Sequence, residues 1–250
     1  MEANEAIPFP EVPFVSSRPV SLEAMRKAGC FTTFRARLNV RDDLANIGSK
    51  RTVNDFEKAY GVQRHDYPPC TDSPGGNMNS LSYPEVLPER LELTTYTTEL
   101  GFLHDDYTEA ENITSSEGMH KRLNYAMNLT NTESPDCSTN SFLMRKIFSA
   151  IALECLEVDL QPGLNLLKSY SEQWLKVVDE FAIPRFPTFD EYLEHRLKDS
   201  GTYVAFYQIA FGAGICLTKE DFNLMETLFK VAGENVMLTN DYYSWRKERT

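Results

Sequence analysis

Two adjacent carboxylates and a third one helical turn later stand at the end of an apolar segment. In ELGFLHDDYTEAEN, residues 99–112, Asp105 and Asp106 are neighbours, and Glu109 follows Asp105 by four positions. Residues four apart share one helix face, so Asp105 and Glu109 repel one another unless a cation lies between them. This spacing predicts a metal site formed by Asp105, Asp106 and Glu109. The alternative is a helix end whose acidic side chains are simply solvated.

A second set of oxygen donors lies in NDYYSWRKE, residues 240–248. Asn240, Ser244 and Glu248 follow one another at four-residue steps, and a helix drifts only about 40° over each such step. The three side chains therefore line one stripe, and their amide, hydroxyl and carboxylate oxygens suit Mg²⁺ and not zinc. Arg246 and Lys247 add positive charge for an anion beside such a metal. The alternative is a helix cap or turn.

An arginine and an aspartate lie upstream in YLEHRLKDSGTY. Arg196 and Asp199 are three apart on one predicted helix, and Ser200 and Gly201 mark a natural place for that helix to break. The planar guanidinium of Arg196 matches phosphate oxygens in pairs, so it predicts a phosphate clamp near the metal-binding helices. The alternative is a surface ion pair with Glu194 or Asp199.

Helical periodicity dominates the chain that must position these residues. Gly, Pro and Asn predict a loop over 62–84, and no strand alternates with helix, so the predicted fold class is all-α. Pro162 and Gly163 are expected to separate two long amphipathic helices. Thr188 and Thr218 each precede an acidic residue by three positions, which is a capping-box pattern. The predicted helices are 42–61, 88–109, 117–129, 140–159, 163–182, 188–201, 202–215 and 218–248.

The composition limits the partners and the compartment. Asp and Glu total 37 against 25 Lys and Arg, so the net charge is −12, which argues against nucleic acid but allows a small anion held through metal ions. The five cysteines are scattered and never form a CxxC pair, which fits reduced intracellular thiols. The acidic, Pro-rich N-terminus lacks signal-peptide features, and no apolar run reaches membrane-spanning length. These features predict a cytoplasmic protein without stable membrane insertion.

The two motifs together, with Arg196 placed 44 residues before Asn240, resemble those of the class I terpene cyclases. HDDYTE resembles the aspartate-rich DDxx(D/E), and NDYYSWRKE resembles the NDxxSxxxE triad. GCFTTFRARLNVRDDLANIGS and LPERLELTTYTTELGFLHDDYTE are similar to the N-terminal cyclase half of fungal chimeric enzymes that join a terpene cyclase to a prenyltransferase. The resemblance covers essentially the whole chain after the first dozen residues.

The resemblance implies a class I terpenoid synthase barrel in which three Mg²⁺ ions hold a linear isoprenoid diphosphate. Departure of diphosphate would leave an allylic carbocation, because metals and cationic side chains carry the charge of the leaving group. One metal group would consist of Asp105, Asp106 and Glu109, and the other of Asn240, Ser244 and Glu248.

The resemblance also implies roles around the helix break. Arg196 would sense the diphosphate, Asp199 would link it to the break, and Ser200 and Gly201 would trigger ionisation, while Lys247 would touch the diphosphate. An apolar, aromatic-lined pocket is expected to stabilise the cations. Candidate wall residues are Phe102, Tyr203 and Phe206, for which plain core packing is the alternative. His104 and His195 lack zinc-type spacing, so packing or solvent contact is expected for both.

The predicted organisation is a Pro-rich arm over 1–20 and a cyclase domain over 21–250. The family's cyclase domains continue beyond the last motif and the chimeras add a prenyltransferase domain, so we interpret this barrel as incomplete at its C-terminal end. Three functions stay open: a cyclase of C20 or C25 diphosphates that makes di- or sesterterpenes, a prenyl-chain elongating synthase, and a non-catalytic truncated fragment. The elongating synthase would be expected to carry a second aspartate-rich motif. A homo-oligomer also stays open.

Overall fold

The computed structural model describes residues 13–30, 32, 34–60, 75–110, 139–175 and 186–248, and for residues 60, 106–110, 139–144 and 246–248 it describes the backbone alone. Most of these residues are helical, which confirms the all-α class. Strands β1 (Ser17–Pro19) and β2 (Arg37–Asn39) form one short antiparallel pair. The helices are α1 (Leu22–Lys27), α2 (Asp42–Tyr60), α3 (Met78–Ser82), α4 (Pro88–Ala110), α5 (Thr139–Val158), α6 (Leu160–Ser169), α7 (Phe189–Asp199), α8 (Thr202–Gly212), α9 (Lys219–Leu224) and α10 (Glu226–Glu248), with a π-helical turn (Tyr170–Leu175) directly after α6.

Helices α2, α4, α5, α6 and α8 enclose the main hydrophobic core. Each contributes a side chain that is almost completely buried: Phe56, Leu100, Phe148, Leu166 and Phe211. Burying a side chain of this size contributes roughly 1.5–3 kcal/mol relative to leaving it exposed. The helix that carries the first predicted motif, α4, therefore packs against apolar side chains from several other helices.

A short helix lies inside the predicted loop over 62–84, so that part of the prediction is wrong. In α3 the chain turns once, and the Asn77 side chain caps it by accepting a hydrogen bond from the Asn79 N–H at 2.8 Å. The Asn79 amide in turn donates to the fully buried Glu99 carboxylate at 3.0 Å, and Ser49 donates to the same oxygen at 2.9 Å. A side-chain cap and a tertiary partner thus support a helix that local composition disfavours.

The break between α5 and α6 lies at Asp159, one turn earlier than predicted. Pro162 falls inside the first turn of α6, where its missing N–H costs no helical hydrogen bond. A Cβ on Gly163 would lie 2.8 Å from the Cys155 carbonyl oxygen, so the glycine allows the two helices to approach closely. Pro162 and Gly163 therefore start the helix and pack it, and they do not separate the pair.

Two further predictions concern helix ends. The capping box at Thr218 is present with both of its hydrogen bonds, while Thr188 accepts the hydrogen bond from the Glu191 N–H. The helix predicted over 218–248 is divided at Met225 into α9 and α10. The helix predicted over 117–129 lies outside the described residues.

The two longest helices of the described chain are α4 and α10, each with 23 residues. Each carries one of the predicted motifs toward its C-terminal end. Within the described ranges, every helix is too short or too polar to cross a lipid bilayer.

Candidate active site

Helix α7 presents Arg196 to the second motif. Thr188 caps the start of this helix, and His195 packs against Phe186 with ring centroids 4.8 Å apart, as expected for a packing histidine. Leu197 is buried, and a Cβ on Gly233 of α10 would lie 2.7 Å from its Cδ2 atom. This close approach brings α7 and α10 together, so the exposed fraction of the Arg196 side chain falls to 21%.

The Arg196 guanidinium makes three hydrogen bonds. Its Nε donates to Asp241 Oδ1 at 3.0 Å, one terminal nitrogen donates to Asn240 Oδ1 at 3.2 Å, and the other donates to Asp199 Oδ2 at 3.4 Å. The predicted residues Arg196, Asp199 and Asn240 therefore meet in one cluster. Glu194, the other ion-pair partner considered for Arg196, instead pairs with Lys198 at 2.9 Å.

The charges in this cluster support one another. Burial lowers the pKa of Arg196, but the hydrogen bond and negative charge of Asp241 outweigh it, so that pKa lies above its ordinary value. Burial and the neighbouring Asp241 raise the pKa of Tyr192 to about 12. At neutral pH the guanidinium is therefore cationic, and the Tyr192 hydroxyl keeps the proton that it donates to Asp241 Oδ2.

Sequence reasoning assigned no role to Asp241 or Tyr192. Asp241 directly follows Asn240, and Tyr192 lies one turn before Arg196 on α7. The available signal was this i, i+4 spacing of Tyr192 and Arg196, together with an extra acid beside Asn240. The pairing itself depends on how α7 meets α10.

The donors on α10 fit a hard cation. Ser244 Oγ is buried, and it has no hydrogen-bond partner among the described residues. Such a hydroxyl is unusual, because burial without a partner costs its hydration. Asn240 lies one turn earlier, and its Oδ1 keeps a second lone pair beyond the bond from Arg196. Glu248 lies one turn later on the same helix, with its backbone alone described. These oxygen donors are the types that Mg²⁺ accepts.

The predicted break after α7 is present. Helix α7 ends at Asp199 and α8 begins at Thr202. Gly201 has a φ of 66°, in the left-handed region where residues with a Cβ are strained. The Ser200 N–H donates to the Arg196 carbonyl at 3.0 Å. The break therefore follows directly on the last turn of α7, which carries Arg196.

The first motif is described in part. Asp105 lies on α4 and is exposed, while the side chains of Asp106 and Glu109 lie outside the description, as do those of Arg246 and Lys247 on α10. Among the described side chains, no group of three or more His, Cys, Asp or Glu is arranged to hold a metal ion.

The aromatic candidates lie in different surroundings. Tyr203 packs against Phe222 of α9 with ring centroids 5.6 Å apart, and Phe206 stacks on Phe229 of α10 at 4.3 Å. Both rings are half-buried and pack between α8 and the helices that follow it. The exposed fraction of Phe102 is 44%, and its role in a pocket wall stays a prediction.

Known proteins match this chain along most of its length. A family model described as Terpene synthase family 2, C-terminal metal binding, matches residues 96–250. A bifunctional terpene synthase from Fusarium proliferatum is 34% identical over 232 residues, which is 93% of this chain and 31% of the relative. A sesterterpene synthase from Colletotrichum orbiculare is 31% identical over 229 residues, which is 90% of this chain and 32% of that relative. The chain thus spans about a third of the length of these curated relatives.

The fold also matches a solved structure. The crystal structure of a-eudesmol synthase has a TM-score of 0.59 and 14% identity, and the match covers 86% of this chain and 71% of that chain. At this identity the likeness shows a common fold alone. Because the family model covers more than half of the sequence and contains both motifs and the arginine between them, the chain belongs to the terpene synthase family.

Proposed function

We propose that this chain carries the ionisation site of a class I terpene cyclase that acts on a linear isoprenoid diphosphate. The observation that supports this most directly is the reach of Arg196 from the helix break to the amide of Asn240 on α10. One guanidinium is thus adjacent both to oxygen donors suited to a metal and to the break between α7 and α8. A site that ionises a diphosphate needs cationic groups and metal ligands together at the leaving group.

Arg196 would bind the diphosphate. A guanidinium has five N–H groups, and the three described bonds use three of them. Its raised pKa keeps it cationic over the whole physiological range. Asp199 and Asp241 hold its plane in one orientation, so little side-chain freedom remains to be lost when an anion binds. Arg246 and Lys247 would add positive charge from the last turn of α10.

The metal ligands would come from both long helices. Asn240, Ser244 and Glu248 would hold one ion on α10, and Asp105, supported by Asp106 and Glu109, would hold metal at the end of α4. Three Mg²⁺ ions are expected by analogy with the family. When bound, Mg²⁺ stabilises the negative charge that develops on the leaving diphosphate. Ser200 and Gly201 would transmit binding at Arg196 into a shift of the break.

The substrate would be geranylgeranyl or geranylfarnesyl diphosphate, with 20 or 25 carbons. The Colletotrichum relative, whose name describes a sesterterpene synthase, supports the substrate with 25 carbons. The net charge of −12 repels a diphosphate at long range, so local cations must overcome that field. The product would be a cyclised di- or sesterterpene hydrocarbon.

The test uses purified protein of residues 1–250 with each diphosphate, with Mg²⁺ or with EDTA. Released diphosphate and extractable hydrocarbons are measured together, and binding of inorganic diphosphate in Mg²⁺ is measured by calorimetry. We expect hydrocarbon and diphosphate release in Mg²⁺ only, together with calorimetric binding.

Two asparagine variants on the same helix sharpen the test. Asn240→Ala removes a proposed ligand, whereas Asn235→Ala removes an exposed amide five residues earlier on α10. We expect Asn240→Ala to lose product and Asn235→Ala to keep it. A folded parent protein that neither releases diphosphate nor binds it in Mg²⁺ would overturn the proposal.

A further inference from the structure

A tryptophan on the π-helical turn lies between the two motif-bearing regions. The turn Tyr170–Leu175 continues α6 without a break, and it contains Trp174. A π-helical turn contains one residue more than an ordinary helical turn. Such turns are rare in proteins, and those that occur are often found at functional sites.

One side of Trp174 contacts the helix of the first motif. Its ring meets the His104 ring edge to face, with centroids 5.6 Å apart and planes at 83°. His104 is fully buried, makes a second edge contact with Phe148 at 6.1 Å, and directly precedes Asp105. The Trp174 ring therefore contacts the side chain that directly precedes the first predicted metal ligand.

The other side of Trp174 contacts the helix break. Its Nε1–H donates to the Asp199 carbonyl at 3.1 Å. The last carbonyls of a helix have no partner within the helix, so this bond satisfies one of them. A Cβ built on Gly201 would lie 3.4 Å from the Trp174 ring. The indole thus packs under the residue whose left-handed conformation makes the break.

The bond to Asp199 continues into the arginine cluster. The Asp199 carboxylate accepts from Arg196, and Arg196 donates to Asn240 and Asp241 on α10. A path of direct contacts therefore runs from His104 through Trp174 and Asp199 to the second motif. Trp174 lies outside both motifs, on the π-helical turn, and its side chain connects the two motif-bearing regions.

We propose that Trp174 is a positioning residue that holds the helix break in register with the aspartate-bearing end of α4, so that binding of a metal–diphosphate group at Arg196 is transmitted to α4. This inference rests on the proposed function, because it assumes that the arginine cluster binds diphosphate. The N–H group of the indole is the essential part, since phenylalanine would keep the ring contact and lose the bond to Asp199.

Fluorescence tests the inference directly, because the chain has two tryptophans and the exposed Trp245 can be replaced. In Trp245→Phe the emission reports Trp174 alone. Mg²⁺ and inorganic diphosphate are titrated into this protein, and the same titration is followed by calorimetry. We expect the emission of Trp174 to change along the calorimetric saturation curve.

A second variant separates positioning from packing. In Trp174→Phe we expect the Kd for diphosphate in Mg²⁺ to rise about threefold to tenfold, the ratio that corresponds to one hydrogen bond of typical net strength. Trp245→Phe is the matched control and should keep the parent Kd. An unchanged Kd in Trp174→Phe with flat Trp174 emission would overturn the inference and leave the proposed function standing. Absence of calorimetric binding in the parent would overturn both.

Discussion

Helices α4 and α10 have the same length and each carries one motif, yet they are held in different ways. Every residue from Leu93 to Leu100 of α4 is buried, whereas on α10 the exposed fractions reach 63% for Leu228 and 74% for Tyr242. Helix α4 lies in the hydrophobic core. Helix α10 meets the described chain through the Phe229 stack, Gly233 and the Arg196 cluster.

This difference separates stability from chemistry. A helix held by apolar burial loses folding free energy when a side chain is shortened, because a cavity remains. A more exposed helix such as α10, whose motif end meets the polar Arg196 cluster, can lose its function with a smaller cost in stability. We therefore expect substitutions in α4 to act mainly on unfolding and substitutions around α10 to act mainly on ligand binding.

The largest expected effect is that of Leu100→Ala in α4. Leu100 is almost completely buried, so the free energy of unfolding should fall by about 2–5 kcal/mol. Urea unfolding followed by circular dichroism measures this. A loss below about 1 kcal/mol would show that the core around α4 can collapse onto the cavity. The two helices would then differ less in their contribution to stability than the burial of Leu100 suggests.

Next comes Arg196→Lys, which keeps the charge and removes the planar fork. One ammonium cannot reproduce three directed bonds to Asp199, Asn240 and Asp241, so we expect a loss of about 1–3 kcal/mol in stability. Diphosphate binding in Mg²⁺ should weaken by about tenfold or more, measured by calorimetry. Arg41→Lys, at an exposed pair with Asp43, is the control and should change neither quantity. Equal binding in both variants would argue against a diphosphate role for Arg196.

A smaller effect, with a defined pH dependence, is expected for Tyr192→Phe. The hydroxyl donates to Asp241, so its loss should cost about 1 kcal/mol near neutral pH. Because the folded pKa of Tyr192 is about 12, above its ordinary value of 10.0, this contribution is complete below pH 10 and disappears as the pH rises toward 12. Unfolding of parent and variant over this range should give converging stabilities. A difference that does not change with pH would place the cost in packing.

The smallest effect is expected for Leu228→Ala, the counterpart of Leu100→Ala on the exposed side of α10. Its exposed fraction of 63% leaves little burial to lose, so the stability should change by less than about 0.5 kcal/mol. The same urea experiment compares the two leucines. A loss above about 1 kcal/mol would show that Leu228 is covered in solution, and sedimentation would then test for self-association.

Local signals predicted the features that depend on neighbouring residues. Gly201 predicted the end of α7, because only a residue without a Cβ adopts its left-handed conformation easily. Thr218 with Asp221 predicted the start of α9, since the capping box closes within four residues. Where a signal had two local meanings, as with Pro162, the prediction chose the wrong one. Proline both starts and interrupts helices, and the packing of Gly163 against Cys155 decided between them.

The sequence by itself determined the all-α class, the two motifs and the family, because periodicity, spacing and motif letters are properties of the chain order. Only the tertiary structure decided that Arg196 meets Asn240 and Asp241, and that Trp174 bridges His104 and Asp199. The partners in these contacts are far apart in the sequence: Asp199 lies 25 residues after Trp174, and His104 lies 70 residues before it. Which of many possible pairs forms at such separations depends on how whole helices pack, and no single residue carries that information.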